Sequence, residues 1–173
     1  LSWPAGVLVA AILVAYLSLF PALFALCLGW LGAKLGRRAI LLAPAIWVST
    51  ELARTYFWSG FPWVLLGYSQ TPVLPVAQIA SVVGVFGVSA LVAMVSAAIA
   101  HFVISRSAGS LAALAGVGAV MLGVTLWGGS RLDRCVLVDQ GPPVRVALIQ
   151  GNIPQDQKWD DAQAGNILNT YLS

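Results

Sequence analysis

Few residues in the apolar part of this sequence have side chains that could do chemistry, and they are far apart. The single glutamate, Glu51, precedes Arg54 by three positions, which places both side chains on one face of a helix. A charge inside a membrane span costs at least about 2.5–3.5 kcal/mol, so a partner is expected and an ion pair between the two is the simplest interpretation. Cys27 and Cys135 have no base beside them in sequence and give neither a disulfide framework nor a metal-ligand cluster. No cofactor and no metal site are expected.

Aromatic side chains supply the other candidates. Trp63 ends the segment Gly60-Phe61-Pro62-Trp63, in which proline restricts the backbone and glycine permits a tight turn. Trp159 follows Lys158 in a polar stretch near the end of the sequence. Tryptophans at the ends of membrane spans commonly form an interfacial belt, so Trp63 has a structural interpretation beside a ligand-lining one.

The elements that must position these residues are membrane helices. Hydrophobic residues make up 60% of the sequence and charged residues 9%, and the mean hydropathy is +0.89. About a quarter of the residues of a soluble domain are charged, so a soluble domain is excluded for most of the chain. Residues 131–173 hold nine of the fifteen charged residues. The net charge of +3 is small, and no nucleic-acid partner is expected.

Breaks and flanking charges predict four membrane spans, because a hydrocarbon core about 30 Å thick needs about 20 apolar residues per helix. The predicted spans cover residues 4–30, 39–58, 76–104 and 110–127. Pro21 predicts a kink in the first span. Counting from Ala39 at about 1.5 Å per residue places Glu51 about 18 Å into the second span.

Basic residues orient the predicted spans. Four of them follow the first and third spans: Lys34, Arg37, Arg38 and Arg106. Short cytoplasmic loops collect Lys and Arg, so these two connections are predicted to be cytoplasmic. Residues 60–75 carry no charge and, like residues 131–173, are predicted on the opposite side, which is the periplasm in a bacterium.

The polar end of the chain predicts the beginning of an α/β domain. Two adjacent prolines resist helix formation and mark a linker over residues 131–143 that follows a transmembrane bundle over residues 1–130. Residues 144–149 alternate and are rich in β-branched side chains, which predicts a buried strand at the start of a soluble part over residues 144–173. Asp160 is placed to cap a helix that begins nearby.

Four motifs, taken together, resemble bacterial apolipoprotein N-acyltransferases. They are WxxxELxR (Trp47–Arg54), GFPWxxLGYSQ (Gly60–Gln70), the GVFGVS stretch (Gly84–Ser89) that follows Gln78, and VALIQGNIPQxxKW (Val146–Trp159). They occur in the family's order over essentially the whole chain. The resemblance implies an α-helical integral membrane bundle, with about four spans in this chain, followed by the first strand-turn-helix of an α/β nitrilase-like (carbon–nitrogen hydrolase) domain.

The resemblance also implies an activity. Members of this family transfer an acyl chain from a phospholipid to the N-terminal cysteine amine of a diacylated apolipoprotein, in the bacterial cytoplasmic (inner) membrane. The implied mechanism uses a Glu-Lys-Cys triad, in which a cysteine thiolate takes the acyl chain as a thioester that the lipoprotein amine then displaces. All three residues are expected beyond Ser173, so the chain looks like a fragment. No catalytic residue is expected within it, and the 173-residue chain alone is predicted to be inactive.

Four residues remain as candidates for binding substrate: Glu51, Arg54, Trp63 and Trp159. Arg54, nearer the outer surface, is interpreted as steadying a lipid phosphate or the loop beneath the active site, against the rival interpretation of a structural ion pair. The resemblance implies that Trp63 lines the lipid entrance and that Trp159 lies close to the acyl chain. The rival roles are an interfacial belt and helix packing.

Two other functional classes stay open on the residues alone. A multi-span transporter fragment would also contain apolar spans with buried charge. Against it, only the second predicted span carries charge, and no broken-helix repeat is visible between spans. A non-catalytic membrane anchor for a separate enzyme is the second alternative.

Overall fold

The computed structural model describes residues 2–57, 60–134, 144–148, 150–154, 158 and 160–172. Trp159, one of the four binding candidates, lies outside the described residues, and so does most of the predicted linker. The chain forms two compact units, Leu1–Val136 and Leu137–Ser173.

The first unit begins with a helical hairpin. Helix α1 (Trp3–Leu35) leads through a 3-10 helix (Gly36–Leu42) into α2 (Ala43–Tyr56). The ring of Phe24 on α1 meets the ring of Trp47 on α2 edge-on, with centroids 5.1 Å apart. One cavity is lined both by Leu17, which is seven residues before Phe24 on α1, and by Arg54, which is seven residues after Trp47 on α2. The two helices therefore run antiparallel.

Among the described residues, three stretches are long and apolar enough to cross a membrane, by length and composition: Trp3–Tyr56, Ala80–Ser105 and Ala108–Asp133. The first is a helical run of 54 residues that folds back on itself, so it contains both the first and the second predicted spans. The helical, apolar character predicted from the sequence is confirmed. α2 alone has 14 residues, fewer than the about 20 that a straight span needs.

The remaining helices of the first unit differ from the predicted spans at their ends. A short helix α3 (Leu74–Ala77) precedes α4 (Ala80–Ser105), and α5 (Ala108–Asp133) follows after a tight turn. The predicted third span began at residue 76, whereas α4 begins at Ala80. The helical geometry of α4 is also interrupted at Gly84, which has φ 66° and ψ −177°. Glycine tolerates that conformation, whereas a residue with a β-carbon does not.

α4 contacts both α2 and α5, whereas α1 packs on α2 and on the 3-10 helix before it. α5 also contacts α3, and a β-carbon placed on Gly128 would overlap the backbone carbonyl of Pro75. Glycine at this position therefore allows α5 to approach the segment before α4 more closely than any other residue would. This contact brings the end of α5 beside the connection between α2 and α4.

The two basic connections lie at one end of the bundle. Nη1 of Arg37 donates a hydrogen bond to the carbonyl oxygen of Ile104 at 3.2 Å, which joins the turn after α1 to the end of α4. Ser107 and Ser110 cap α5 reciprocally at the same place. We call this the basic end. The opposite end, which carries residues 60–70, is called the loop end.

The second unit contains a 3-10 helix (Asp161–Gln163) that continues into α6 (Ala164–Leu172). The carboxylate of Asp160 accepts a hydrogen bond from the backbone N–H of Ala162 at 3.0 Å, which confirms the predicted cap. Residues 144–148 have neither helix nor strand, and the side chain of Leu148 is 95% exposed. A strand is defined by its hydrogen-bonded partner, and none pairs with these residues in the part of the chain described, so the strand stays a prediction.

Candidate functional site

Glu51 is the polar centre of the loop end. Its side chain is 3% exposed, and its Oε1 accepts hydrogen bonds from the indole Nε1 of Trp47 at 3.0 Å and from the backbone N–H of Leu66 at 2.7 Å. Hydrogen bonds to an ionised carboxylate are stronger than those between neutral groups. Glu51 therefore ties the connecting loop, defined here as residues 60–70, to α2.

The depth predicted for Glu51 in the membrane stays a prediction. α2 continues from the 3-10 helix Gly36–Leu42 and ends at Tyr56, so Glu51 lies within two turns of the loop end. A carboxylate at this height can reach the backbone of a connecting loop, which a residue at mid-span cannot.

The predicted ion pair between Glu51 and Arg54 does not form. Oε2 of Glu51 and Nε of Arg54 are both buried, and neither atom has a hydrogen-bond partner among the described residues. Arg54 instead extends its Nη2 to the carbonyl oxygen of Val64, at 3.3 Å. Backbone groups of the connecting loop lack partners in an α-helix or a sheet. They therefore form hydrogen bonds with the Glu51 and Arg54 side chains, in place of the ion pair between these two residues.

Arg54 and the end of α2 fix the first half of the connecting loop. The carbonyl of Arg54 accepts a hydrogen bond from the N–H of Phe61 at 2.8 Å, in addition to the side-chain bond to Val64. Gly60 has φ 70°, and a β-carbon there would overlap the carbonyl of Thr55. The tight turn after α2 therefore requires glycine at this position.

The connecting loop reverses its direction at Val64, which has φ 55°. This conformation is strained for a β-branched residue and costs on the order of 1–3 kcal/mol. The side chain of Trp63 before it is 68% exposed, whereas that of Leu65 after it is 3% exposed. The strained residue thus separates an outward-facing aromatic from an inward-facing anchor.

Ser89 fixes the second half of the connecting loop, a role that the sequence did not reveal. Its Oγ accepts a hydrogen bond from the backbone N–H of Gly67 at 2.8 Å, and its side chain is 0% exposed. Gly67 lies in a 3-10 helix (Leu66–Gln70) that packs on α4. The only signal for Ser89 was its place in the GVFGVS motif, which gives no partner.

The exposed tip of the connecting loop is aromatic. The rings of Phe61 and Trp63 lie with centroids 5.3 Å apart at a tilt of 36°. The N–H of Phe61 donates a hydrogen bond to the carbonyl of Arg54 on α2, and loop residues after Trp63 are hydrogen-bonded to α2 and α4. The pair therefore lies on a backbone that is fixed at both ends. The arrangement can present a rigid apolar surface to a hydrocarbon chain, and it can equally serve as an interfacial anchor.

Two cavities lie beneath the connecting loop, and Trp47 lines both. The larger, of about 370 Å³, is an open, almost wholly apolar groove lined mostly by α1, α2 and α4, with Phe24 and Ala97 among its walls. The smaller, of about 120 Å³, is lined by residues of α1 and by Glu51 and Arg54 of α2.

A family model described as the apolipoprotein N-acyltransferase N-terminal domain matches residues 1–98, which include the hairpin, the connecting loop and much of α4. The chain belongs to the apolipoprotein N-acyltransferase family. This membership confirms the resemblance found in the sequence motifs, and it favours the acyltransferase interpretation over a transporter fragment or a non-catalytic anchor.

Individual relatives are similar over nearly the whole chain. The apolipoprotein N-acyltransferase of Methylococcus capsulatus is 42% identical over 167 residues, which cover 94% of this chain and 31% of that protein. That of Shewanella oneidensis is 40% identical over 172 residues, covering 98% of this chain and 32% of that protein. The chain therefore spans about a third of the length of the curated relatives it matches.

Of the four binding candidates, the structure brings three together at the loop end of the family's membrane unit. Glu51 and Arg54 both bond to the connecting loop, and Trp63 lies at its tip. Trp159 belongs to the second unit and falls outside the described residues, so its place near the acyl chain stays a prediction.

Proposed function

We propose that this chain is the membrane part of an enzyme that transfers an acyl chain from a phospholipid to the N-terminal cysteine amine of a diacylated apolipoprotein. Family membership supports the acyl transfer, and the apolar helices support a membrane-resident lipid donor. The transporter and anchor alternatives have no comparable support.

The observation that carries this proposal for the chain's own residues is the fixed, aromatic-tipped connecting loop. Its backbone is held at three points: Arg54 donates a hydrogen bond to it, and Glu51 and Ser89 each accept one from it. An enzyme that draws a hydrocarbon chain out of a bilayer needs a rigid apolar edge at the membrane surface, because a mobile edge loses conformational entropy on binding. We assign that role to Trp63, with Glu51 and Arg54 as positioning residues that act through the loop.

The test is the replacement of Trp63 by alanine in the full-length protein. Losing an aromatic contact with an acyl chain removes roughly 1–3 kcal/mol, which corresponds to a loss of about ten- to a hundredfold in kcat/KM. Trp30→Ala is the matched control, since Trp30 is also exposed, at 60%, but lies near the basic end beside Lys34. Both activity and folded yield are measured on the same preparations.

If Trp63 is only an interfacial anchor, both variants lose folded yield and keep normal turnover per folded molecule. That result would remove Trp63 from the lipid path while leaving acyl transfer by the full-length protein intact. Absence of acyl transfer by the unmodified full-length protein would instead refute the proposed activity.

We place the Glu-Lys-Cys triad beyond Ser173, which makes this chain inactive by itself. The chain has one glutamate, and Oε1 of Glu51 is already bonded to Trp47 and Leu66 inside the membrane unit. Incubation of the 173-residue chain with phospholipid and a lipoprotein peptide is expected to give no acylated product. Product that disappears with Cys27→Ala would place the nucleophile within α1 and contradict this assignment.

We further propose four passages through the bacterial inner membrane, formed by α1, α2 with its preceding 3-10 helix, α4 and α5. Lys34, Arg37 and Arg106 at the basic end support a cytoplasmic location for that end. The loop end and the second unit would then face the periplasm. Single cysteines at Ser69 and Asp139 should both react with an impermeant reagent added outside cells, and reaction of only one would contradict this topology.

A further inference from the structure

The basic end concentrates positive charge without acidic partners. Its exposed cations are Lys34, Arg37, Arg38 and Arg106. Residues 1–50 and 52–132 contain no aspartate or glutamate. The acidic residues of the first unit, Glu51 and Asp133, lie near the end of α2 and at the end of α5, away from the basic end. Among the residues that the structure describes, none forms an ion pair with these cations, so their charge is free to attract an anion.

The end of α4 holds Arg37 near the backbone of Arg106. Nη1 of Arg37 donates to the carbonyl oxygen of Ile104, which precedes Arg106 by two residues. A guanidinium has five N–H donors, so Arg37 keeps others for an anion. Arg106 follows α4 with φ 44°, a left-handed conformation in which helices usually end with glycine or asparagine. The backbone therefore gives no reason for an arginine at this position.

An open groove beside Arg106 adds an apolar surface to this charge. The groove, of about 520 Å³, lies where α4 turns into α5, and three of the side chains that line it with Arg106 are apolar: Phe102, Val103 and Leu111. α4 and α5 each have 26 residues and are therefore about 39 Å long, more than the about 30 Å of a hydrocarbon core. When these helices cross a bilayer, the turn between them lies at the depth of the lipid headgroups, and the apolar side chains lie about one turn deeper.

We propose that the basic end binds an anionic phospholipid, with Arg106 and Arg37 at its phosphate and an acyl chain along the groove. The planar guanidinium matches the oxygens of a phosphate in both geometry and charge. Basic pockets between membrane helices bind anionic headgroups in the same way. The charge and the apolar groove thus correspond to the two parts of one lipid molecule.

The charge of the basic end selects an anionic lipid over a zwitterionic one. The ammonium of phosphatidylethanolamine needs an anionic partner, and residues 1–50 and 52–132 supply no carboxylate, whereas phosphatidylglycerol carries only the phosphate charge. The site lies at the opposite end of the bundle from Trp63, so it differs from the place proposed above for the acyl donor. It requires that α4 and α5 lie in a bilayer, but it does not require acyl transfer.

Native mass spectrometry of the full-length protein tests the site, with phosphatidylglycerol and phosphatidylethanolamine of the same acyl chains as probes. Arg106→Gly should weaken phosphatidylglycerol binding about fivefold, the effect of one basic residue near an anionic lipid, and leave phosphatidylethanolamine binding unchanged. The matched control is Arg134→Gly, since Arg134 is exposed at the other end of α5. It should change the affinity by less than about twofold, because salt screens exposed charges beyond about 10 Å.

Loss of binding is separable from loss of fold, because glycine adopts φ 44° without strain and Arg106→Gly should be at least as stable to heat as the unmodified protein. Equal effects of the two glycine variants on phosphatidylglycerol, or an equal loss of both lipids in Arg106→Gly, would overturn the proposal. Displacement of phosphatidylglycerol by inorganic phosphate would show a plain anion site and would overturn it as well. The readout is lipid binding, so it decides the question whether or not the full-length protein transfers an acyl chain.

Discussion

Replacing Glu51 by alanine is the perturbation that most directly tests how the membrane unit holds its connecting loop. The substitution removes the acceptor of two hydrogen bonds and leaves the indole N–H of Trp47 and the backbone N–H of Leu66 without it. Both donors are partly buried, and leaving each one unsatisfied costs about 1–3 kcal/mol, so Glu51→Ala should lower the free energy of unfolding by about 2–6 kcal/mol.

Glu51→Gln separates the hydrogen bonds from the charge. The amide oxygen of glutamine can still accept from both donors, so only the charge-assisted part of the two bonds is lost, about 1–3 kcal/mol in total. We therefore expect stability to fall in the order wild type, Glu51→Gln, Glu51→Ala. Unfolding of the full-length protein by SDS in mixed micelles measures it, with Asp133→Ala at the exposed end of α5 as a control expected within about 0.5 kcal/mol of wild type.

A double-mutant cycle identifies the source of the cost. Trp47→Phe keeps an aromatic ring against Phe24 but removes the indole N–H. In the Trp47→Phe background, Glu51→Ala leaves only the N–H of Leu66 without its acceptor. The loss of unfolding free energy caused by Glu51→Ala should therefore be about 1–3 kcal/mol smaller than in the wild type. The reasoning fails if Glu51→Ala stays within about 0.5 kcal/mol of wild type, or if glutamine is as damaging as alanine.

Two further substitutions test the packing and the strain of the loop end by the same unfolding measurement. Gly128→Ala should destabilise by about 1–3 kcal/mol, because its β-carbon overlaps the carbonyl of Pro75; Gly116→Ala, with nothing within 4 Å, should be neutral or stabilising. Val64→Gly should be neutral or stabilise by up to about 1 kcal/mol, because glycine relieves the positive φ, whereas Val9→Gly in exposed α1 should destabilise by about 0.5–1 kcal/mol. Equal losses in the two valine variants would show that Val64 is unstrained.

The sequence by itself determined the class of the protein and its family. Apolar runs and sparse charge predicted membrane helices, because a hydrocarbon core imposes length and hydropathy on any segment that crosses it. The basic residues Arg37 and Arg106, which the sequence assigned to one side, do lie at one end of the bundle. The Asp160 cap was also predicted correctly, because a cap depends on residues only two positions apart.

The tertiary structure decided the partners of the buried polar groups. Glu51 and Arg54 are three residues apart, and local spacing favoured an ion pair between them, yet Glu51 bonds to Leu66 and Arg54 to Val64. Ser89 meets Gly67, which is 22 residues earlier in the chain. Such contacts join segments that only folding brings together, and their energy comes from satisfying backbone N–H and C=O groups that carry no sequence signature. Residue types fix which bonds a side chain can make, whereas the packing of α2, α4 and the connecting loop selects which of them form.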